Sequence, residues 1–185
     1  MFGKKIETKR LIIRPWKSDD FHYYLKFCMD SEVMLPSGIR PSGNKIQGKS
    51  DFERVRRNRD AYAIVLKETG YAVGCIKFQK DIRRHCVNSI SIAYELNKNY
   101  WGMGIMTEAL KGMICFAFEY KRVDVIGIGH FTENDRSRRV IEKCGFIHEG
   151  LIRKSYKRFD GVVFDENSYS ITREEYMENI GHYSS

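Results

Sequence analysis

The 185 residues are 42% hydrophobic and 13% aromatic, enough to bury a core and too apolar for a disordered chain. No apolar run reaches the length of a membrane span and no basic-then-apolar leader opens the chain, so one soluble, cytoplasmic domain over residues 1–185 is expected, with no membrane partner. A net charge of +8 favours an anionic ligand, although a solvated basic surface explains it better than any one such ligand.

Thr8 to Pro15 reads as a strand, and Ser18 as the N-cap of a helix from Asp19 to about Met29. Phe21, Tyr24, Leu25, Cys28 and Met29 form that helix's apolar stripe. Residues 30 to 50 read as a loop rich in Ser, Gly and Pro, followed by a short helix around Ser50 to Arg59. The cluster Arg54, Arg56, Arg57 and Arg59 has no interleaved aromatics, which argues against direct nucleic-acid binding. Three strands come next: Ala61 to Leu66, Tyr71 to Gln79 with Gly74 as a bulge, and Ser89 to Leu96. In the third, Ile90, Ile92, Tyr94 and Leu96 share one face, and Ser89, Ser91, Ala93 and Glu95 share the other.

Asn99 to Tyr120 is the stretch with the most chemical content. Gly102 and Gly104 open it, and a helix from about Ile105 to Tyr120 follows, with Met106, Leu110, Met113, Ile114 and Ala117 on one face. A glycine turn feeding a helix N-terminus can hold a phosphate: unpaired N–H groups point outward and the helix dipole adds positive charge. Val123 to Phe131 is a strand, Asn134 to Lys143 a helix ended by Gly145, and Phe146 to Leu151 and Val163 to Ile171 are strands joined by an Asp160-Gly161 turn. Arg173 to Ile180 closes the chain as a polar helix or tail. Strand, helix, strand from Ser89 to Phe131 implies a parallel pair across a right-handed crossover. The fold class is α+β: a mixed, mostly antiparallel twisted sheet with a central parallel strand pair, flanked by helices.

The five cysteines, Cys28, Cys75, Cys86, Cys115 and Cys144, include no CxxC pair, so neither a metal site nor a disulfide framework is expected. Gly102-x-Gly104 lacks the third glycine of a dinucleotide fingerprint, and no repeated βαβ unit surrounds it.

Four segments in order resemble the GCN5-related N-acetyltransferase superfamily, and within it the RimJ/RimL-type branch that acetylates N-terminal amines of ribosomal proteins. They are ETKRLIIRPWKSDD, AYELNKNYWGMGIMTEAL, ENDRSRRVIEKCGFIHEG and DENSYSITREEY. The resemblance implies the acyl-CoA N-acyltransferase fold, in which the parallel strands splay apart, and acetyl-CoA as cosubstrate. Its pyrophosphate motif, Arg or Gln, two residues, Gly, one residue, Gly or Ala, maps onto Trp101, Gly102, Met103, Gly104, Ile105 and Met106. Trp101 replaces the Arg or Gln, and Met106 replaces the last small residue, so its side chain must turn into the core. Thr107 can add a hydroxyl. The resemblance also implies pantetheine pairing along Tyr94 to Leu96, a hydrogen bond from Asn134 to the pantetheine arm, and Ser137 near the thioester sulfur. Where many relatives have an acidic tyrosine, this chain has Ile141.

Acetyl transfer needs a held thioester, a neutral amine, a stabilised oxyanion and a proton for the leaving thiolate. Glu95, six residues before the phosphate turn, is the base suggested by the sequence; His130 is the alternative, and Ser137 is the candidate acid. No covalent acyl-cysteine is expected, because no cysteine has a paired base. The acceptor is expected between the loop at 30–48 and the hairpin around Lys154 to Val163, where Arg153, Lys154, Lys157 and Arg158, with Tyr156 among them, supply positive charge. An amine acceptor, whether a protein N-terminus, a ribosomal protein or a small amine such as an antibiotic or polyamine, fits this chemistry. A regulatory acetyl-CoA binder without turnover is the competing class. Either a monomer or a homodimer is compatible.

Overall fold

Leu11 and Ile13 are wholly buried while Ile12 and Arg14 are half-exposed, the alternation that makes β2 (Leu11–Pro15) a strand with one covered face. The computed structural model describes residues 5–183, which divide into two compact units. One runs up to Lys77 and takes in Tyr94–Ala109; the other comprises Phe78–Ala93 and the chain from Leu110.

In the first unit the expected strand from Thr8 is shorter. Thr8 N–H bonds to Leu11 C=O at 3.0 Å and Leu11 N–H to Thr8 Oγ1 at 3.2 Å, so the chain turns there. A short β1 (Ile6–Glu7) pairs back on β2. β2 pairs antiparallel with β3 (Ala61–Leu66), and β3 with β4 (Ala72–Lys80). α1 is Phe21–Cys28, preceded by a 3-10 turn over Ser18–Asp20. Ser18 is not its cap: its hydroxyl bonds Asp19, while Asp20 reaches back to Lys17 N–H. Phe27 is buried and Met29, just past the helix end, is exposed, so the apolar stripe includes the former and not the latter.

The expected loop at 30 to 50 holds α2 (Ser31–Met34) and most of the start of α3 (Lys45–Arg57). Asn44 Oδ1 caps α3 by accepting Gln47 N–H at 2.9 Å. Trp16, Tyr24, Phe27 and Phe52 form the aromatic centre of this unit, with the Trp16 ring edge-on to Tyr24 (5.6 Å) and to Phe52 (5.8 Å).

The bulge expected at Gly74 is present: Ile64 pairs with Gly74 but Val65 with Ala72. A methyl group on Gly74 would lie 2.5 Å from the Glu95 carbonyl oxygen, which is backbone and has little room to yield. Gly74→Ala is therefore expected to cost about 1–3 kcal/mol by overpacking, measured as a lowered urea midpoint at constant slope.

In the second unit, the first part of β5 (Ser89–Leu96), up to Ala93, pairs in parallel with β6 (Val125–Phe131) from Ser89↔Val125 to Ser91↔Gly127. β6 pairs antiparallel with β8 (Val163–Thr172), and β8 with β7 (Ile147–Lys157), which runs past the expected end at Leu151. The strand order is β1-β2-β3-β4-β5-β6-β8-β7, the expected mixed and mostly antiparallel α+β arrangement.

α4 (Ile105–Phe116) ends in a π turn over Ala117–Lys121, and its expected apolar face is buried throughout. α5 is Asp135–Lys143, stopped by Gly145 at φ 80°. The closing segment is less polar than expected. α6 (Arg173–Glu178) buries Tyr176 against Phe118, rings 4.7 Å apart, and α7 (Ile180–Tyr183) buries Tyr183. Among the described residues no helix is long and apolar enough to cross a membrane.

Candidate active site

In the first unit, β5 ends at Leu96 and hands over to a capped turn. Asn97 Oδ1 accepts Asn99 N–H at 3.0 Å, and Trp101 Nε1 donates to Leu96 C=O at 2.9 Å. Trp101 thus ties the strand end to the turn with the sole donor of its side chain. Gly102 (φ 76°) and Gly104 (φ 73°) then take left-handed conformations that a side chain would strain. Gly102, Met103 and Gly104 are exposed, while Ile105 and Met106 turn inward and are buried. The first bond of α4 is Glu108 N–H to Gly104 C=O, at 3.1 Å. The N–H groups of Ile105, Met106 and Thr107 precede it, at the positive end of the helix dipole.

Beside this turn stands a residue that sequence reasoning did not single out. Arg10 Nη1 donates to Met103 C=O at 2.9 Å and its Nε to Glu108 Oε2 at 2.6 Å. Glu108 Oε1 accepts from Thr8 Oγ1 (2.6 Å) and Arg10 N–H (2.7 Å). Burial alone would raise the Glu108 carboxyl; the Thr8 and Arg10 donors outweigh it and hold the group below the usual carboxylate range. An exposed backbone with positive-φ glycines, a helix N-terminus and an adjacent guanidinium fit a pyrophosphate.

Glu95 is buried in the same unit, and its Oε1 receives Lys77 Nζ at 3.0 Å. A strand-end carboxylate need not be buried; Lys77, on β4, supplies the charge that makes burial tolerable. The Cys75 thiol is pushed up to about 12, mainly by burial and next by Glu95, which leaves it a neutral thiol. Tyr94 is half-buried, and its carbonyl faces Ser37 Oγ at 3.5 Å. Lys98 Nζ binds Asp30 (3.0 Å) and Glu32 (2.8 Å), fastening the segment at the start of α2 to the residues after β5.

In the second unit, Asn134 Oδ1 accepts Ser137 N–H at 3.1 Å, so Asn134 caps α5 and Ser137 sits in the helix's first turn, half-buried. Ile141 is wholly buried, which makes the position a core one in this chain. His130 is buried with both ring nitrogens engaged: Nδ1 lies 2.8 Å from Phe131 C=O and Nε2 3.2 Å from Tyr169 Oη. A carbonyl can only accept, so Nδ1 donates to it, and Nε2 is paired with the Tyr169 hydroxyl. Arg153, Lys154, Tyr156 and Lys157 are exposed on β7, whereas Arg158 is bound to Asp160 and stacks over Phe164 at 4.8 Å. The named site residues thus fall in two sets, Tyr94 to Thr107 in the first unit and His130, Asn134 and Ser137 in the second.

Residues 10–147 match the family model described as "Acetyltransferase (GNAT) domain", a stretch that runs through both units. The chain is 25% identical over 174 residues to the N-acetyltransferase p20 of Bacillus licheniformis, covering 91% of this chain and 96% of the relative. A GNAT-family acetyltransferase from Bacillus anthracis superposes with a TM-score of 0.81 at 25% identity, covering 93% of this chain and all of the other. A ribosomal-protein-S5-alanine acetyltransferase from Vibrio fischeri has the same fold, with a TM-score of 0.69 at 22% identity over 93% of this chain and 98% of the other. With the family match spanning most of its length, the chain belongs to the GCN5-related N-acetyltransferases, the GNAT family of acetyltransferases, whose acyl donor is acetyl-CoA.

Proposed function

We propose that this protein acetylates a primary amine by direct attack on acetyl-CoA in a ternary complex, and that the amine is a protein N-terminal α-amine of the ribosomal-protein kind. The observation that carries the reading is the turn at Gly102 and Gly104, left-handed at both glycines and exposed, opening directly into the N-terminus of α4 within the stretch that matches the family. The Vibrio fischeri enzyme of the same fold, described as acting on ribosomal protein S5, supports the acceptor class. The family match through both units supports residues 1–185 as one N-acetyltransferase domain, working in the cytoplasm where ribosomal proteins are made.

Acetyl-CoA supplies the activated acyl group. In this reading the N–H groups from Gly104 to Thr107 hold its pyrophosphate, with Trp101 and Met103 shaping the turn, and the backbone of Tyr94 to Leu96 pairs with the pantetheine arm. Asn134 bonds that arm, and Ser137 steadies the departing thiolate. Glu95, oriented by Lys77, takes the amine proton directly or through one water. Met106 is buried, so in this reading it meets the ligand through its backbone alone.

Two measurements test the proposal together. Acetyl-CoA at a hundred times its dissociation constant is expected to stabilise the protein by about 2.7 kcal/mol, read as a raised thermal midpoint. Thiol release is then followed with peptides bearing a free α-amine, N-terminally blocked lysine peptides, a polyamine and an aminoglycoside. Turnover confined to the free α-amine peptides supports the acceptor class. Turnover on a small amine alone overturns it. Stabilisation with no turnover favours a regulatory binder, and no stabilisation removes acetyl-CoA from the account.

A further inference from the structure

Arg10 supports an inference that rests on the acetyl-CoA reading and goes beyond it. Its guanidinium is held on two sides, by Glu108 at Nε and by Met103 C=O at Nη1. Its remaining nitrogen, Nη2, has no hydrogen-bond partner among the described residues, and a methyl group on Gly104 would lie 3.5 Å from it. The side chain is 46% exposed, so a fixed fork with unused donors lies over the glycine of the phosphate turn. Trp101, at the motif's Arg or Gln position, has already committed its indole N–H to Leu96 C=O. Trp101 therefore offers no side-chain donor to a phosphate.

We propose that Arg10 binds the pyrophosphate of coenzyme A through Nη2, with Glu108 and the Met103 carbonyl as the groups that aim it. Both Glu108 oxygens already accept hydrogen bonds from Thr8 and Arg10, so the carboxylate is occupied by its own partners. A simple tether between the segment ahead of β2 and α4 would need only the Nε–Glu108 contact. The additional bond to Met103 C=O fixes the fork against the turn itself.

The test is the affinity of Arg10→Met for coenzyme A, for 3′-dephospho-coenzyme A and, as an acyl donor, for S-acetylpantetheine, which has no pyrophosphate. Loss of a charge-assisted phosphate contact is expected to weaken both coenzymes equally, by about 10- to 100-fold, and to leave the KM for S-acetylpantetheine unchanged. The salt dependence of coenzyme binding should flatten in parallel. A loss confined to coenzyme A overturns the pyrophosphate assignment, because it would point to the 3′-phosphate. Equal loss for all three, or unchanged affinity for all three, makes Arg10 a structural brace. Arg10→Gln provides the same comparison if Arg10→Met does not fold. Wild-type protein that binds no coenzyme A defeats the acetyl-CoA reading, whereas wild-type binding that survives Arg10→Met defeats this inference alone.

Discussion

Glu95→Gln is expected to lower turnover on an amine acceptor by about 10²- to 10⁴-fold, the range for loss of a positioned general base. The substitution keeps the side chain's shape and lets its amide oxygen still receive Lys77 Nζ, now 3.0 Å from Oε1. Burial of the group at 5% exposure makes that conservatism necessary, since Glu95→Ala would also delete the carboxylate that Lys77 bonds and leave a cavity, confusing catalysis with folding. The kinetic pattern carries the distinction. A base that acts in the transition state lowers kcat and kcat/KM together, while acetyl-CoA affinity and the thermal midpoint stay near those of the wild type.

The acceptor sets how large the effect becomes. An α-amine, with a pKa of about 7.7–8.0, is about a tenth neutral at pH 7, whereas a lysine amine at about 10.4 is neutral only on the order of 10⁻³. Glu95→Gln should therefore penalise a lysine peptide more than an N-terminal one. Rates that match the wild type from pH 6 to 9 would remove Glu95 from the mechanism and leave water as the base. His130 offers no ready substitute, because Phe131 C=O and Tyr169 occupy its two nitrogens.

The elements that sequence reading located well are those whose burial is written locally. β3 is a nearly unbroken apolar run, β5 alternates, and the face of α4 repeats at helical spacing, so all three show in a short window. α3 is legible from Ser50 onward, but its start escapes because Lys45-Ile46-Gln47-Gly48 reads as loop. A methyl group on Gly48 would meet Leu25 Cδ2 at 2.6 Å, so that glycine allows α1 and α3 to approach closely and breaks nothing. β7 beyond Leu151 is exposed on both faces and leaves no alternation to find.

The candidate site divides the same way. The Gly102–Gly104 turn is legible because positive φ demands glycine where a Cβ would be strained. Arg10 meets Glu108 across 98 positions and Lys77 meets Glu95 across 18, and no local period reports such pairs. Sequence spacing could bring Glu95 forward as a carboxylate near the turn, but the partner that orients it belongs to another strand.

Asp20→Ala is expected to cost about 3–5 kcal/mol of stability, the range for breaking one side of a buried ion pair. Arg14 grips Asp20 with both nitrogens, Nη1 to Oδ2 at 2.6 Å and Nη2 to Oδ1 at 2.9 Å, and Lys17 N–H adds a third bond at 2.8 Å. Asp20 is 4% exposed and the Arg14 side chain 15%, so neither charge is relaxed by much water. The knot joins the end of β2 to the start of α1 and brackets Trp16, whose ring meets Tyr24, Phe27 and Phe52. Truncating Asp20 therefore strands a guanidinium and a backbone donor together, beside the aromatic centre of the first unit. Asp20→Asn should fall between the two, because its single oxygen can serve Lys17 N–H or Arg14 but not both as well. Replacing both partners, as Arg14→Met with Asp20→Leu, should recover much of the loss by removing the unpaired charge. Urea midpoints for the four proteins decide it. A loss below about 1 kcal/mol for Asp20→Ala would place the pair among exposed ones, and the aromatic packing around Trp16 would then hold this corner without it.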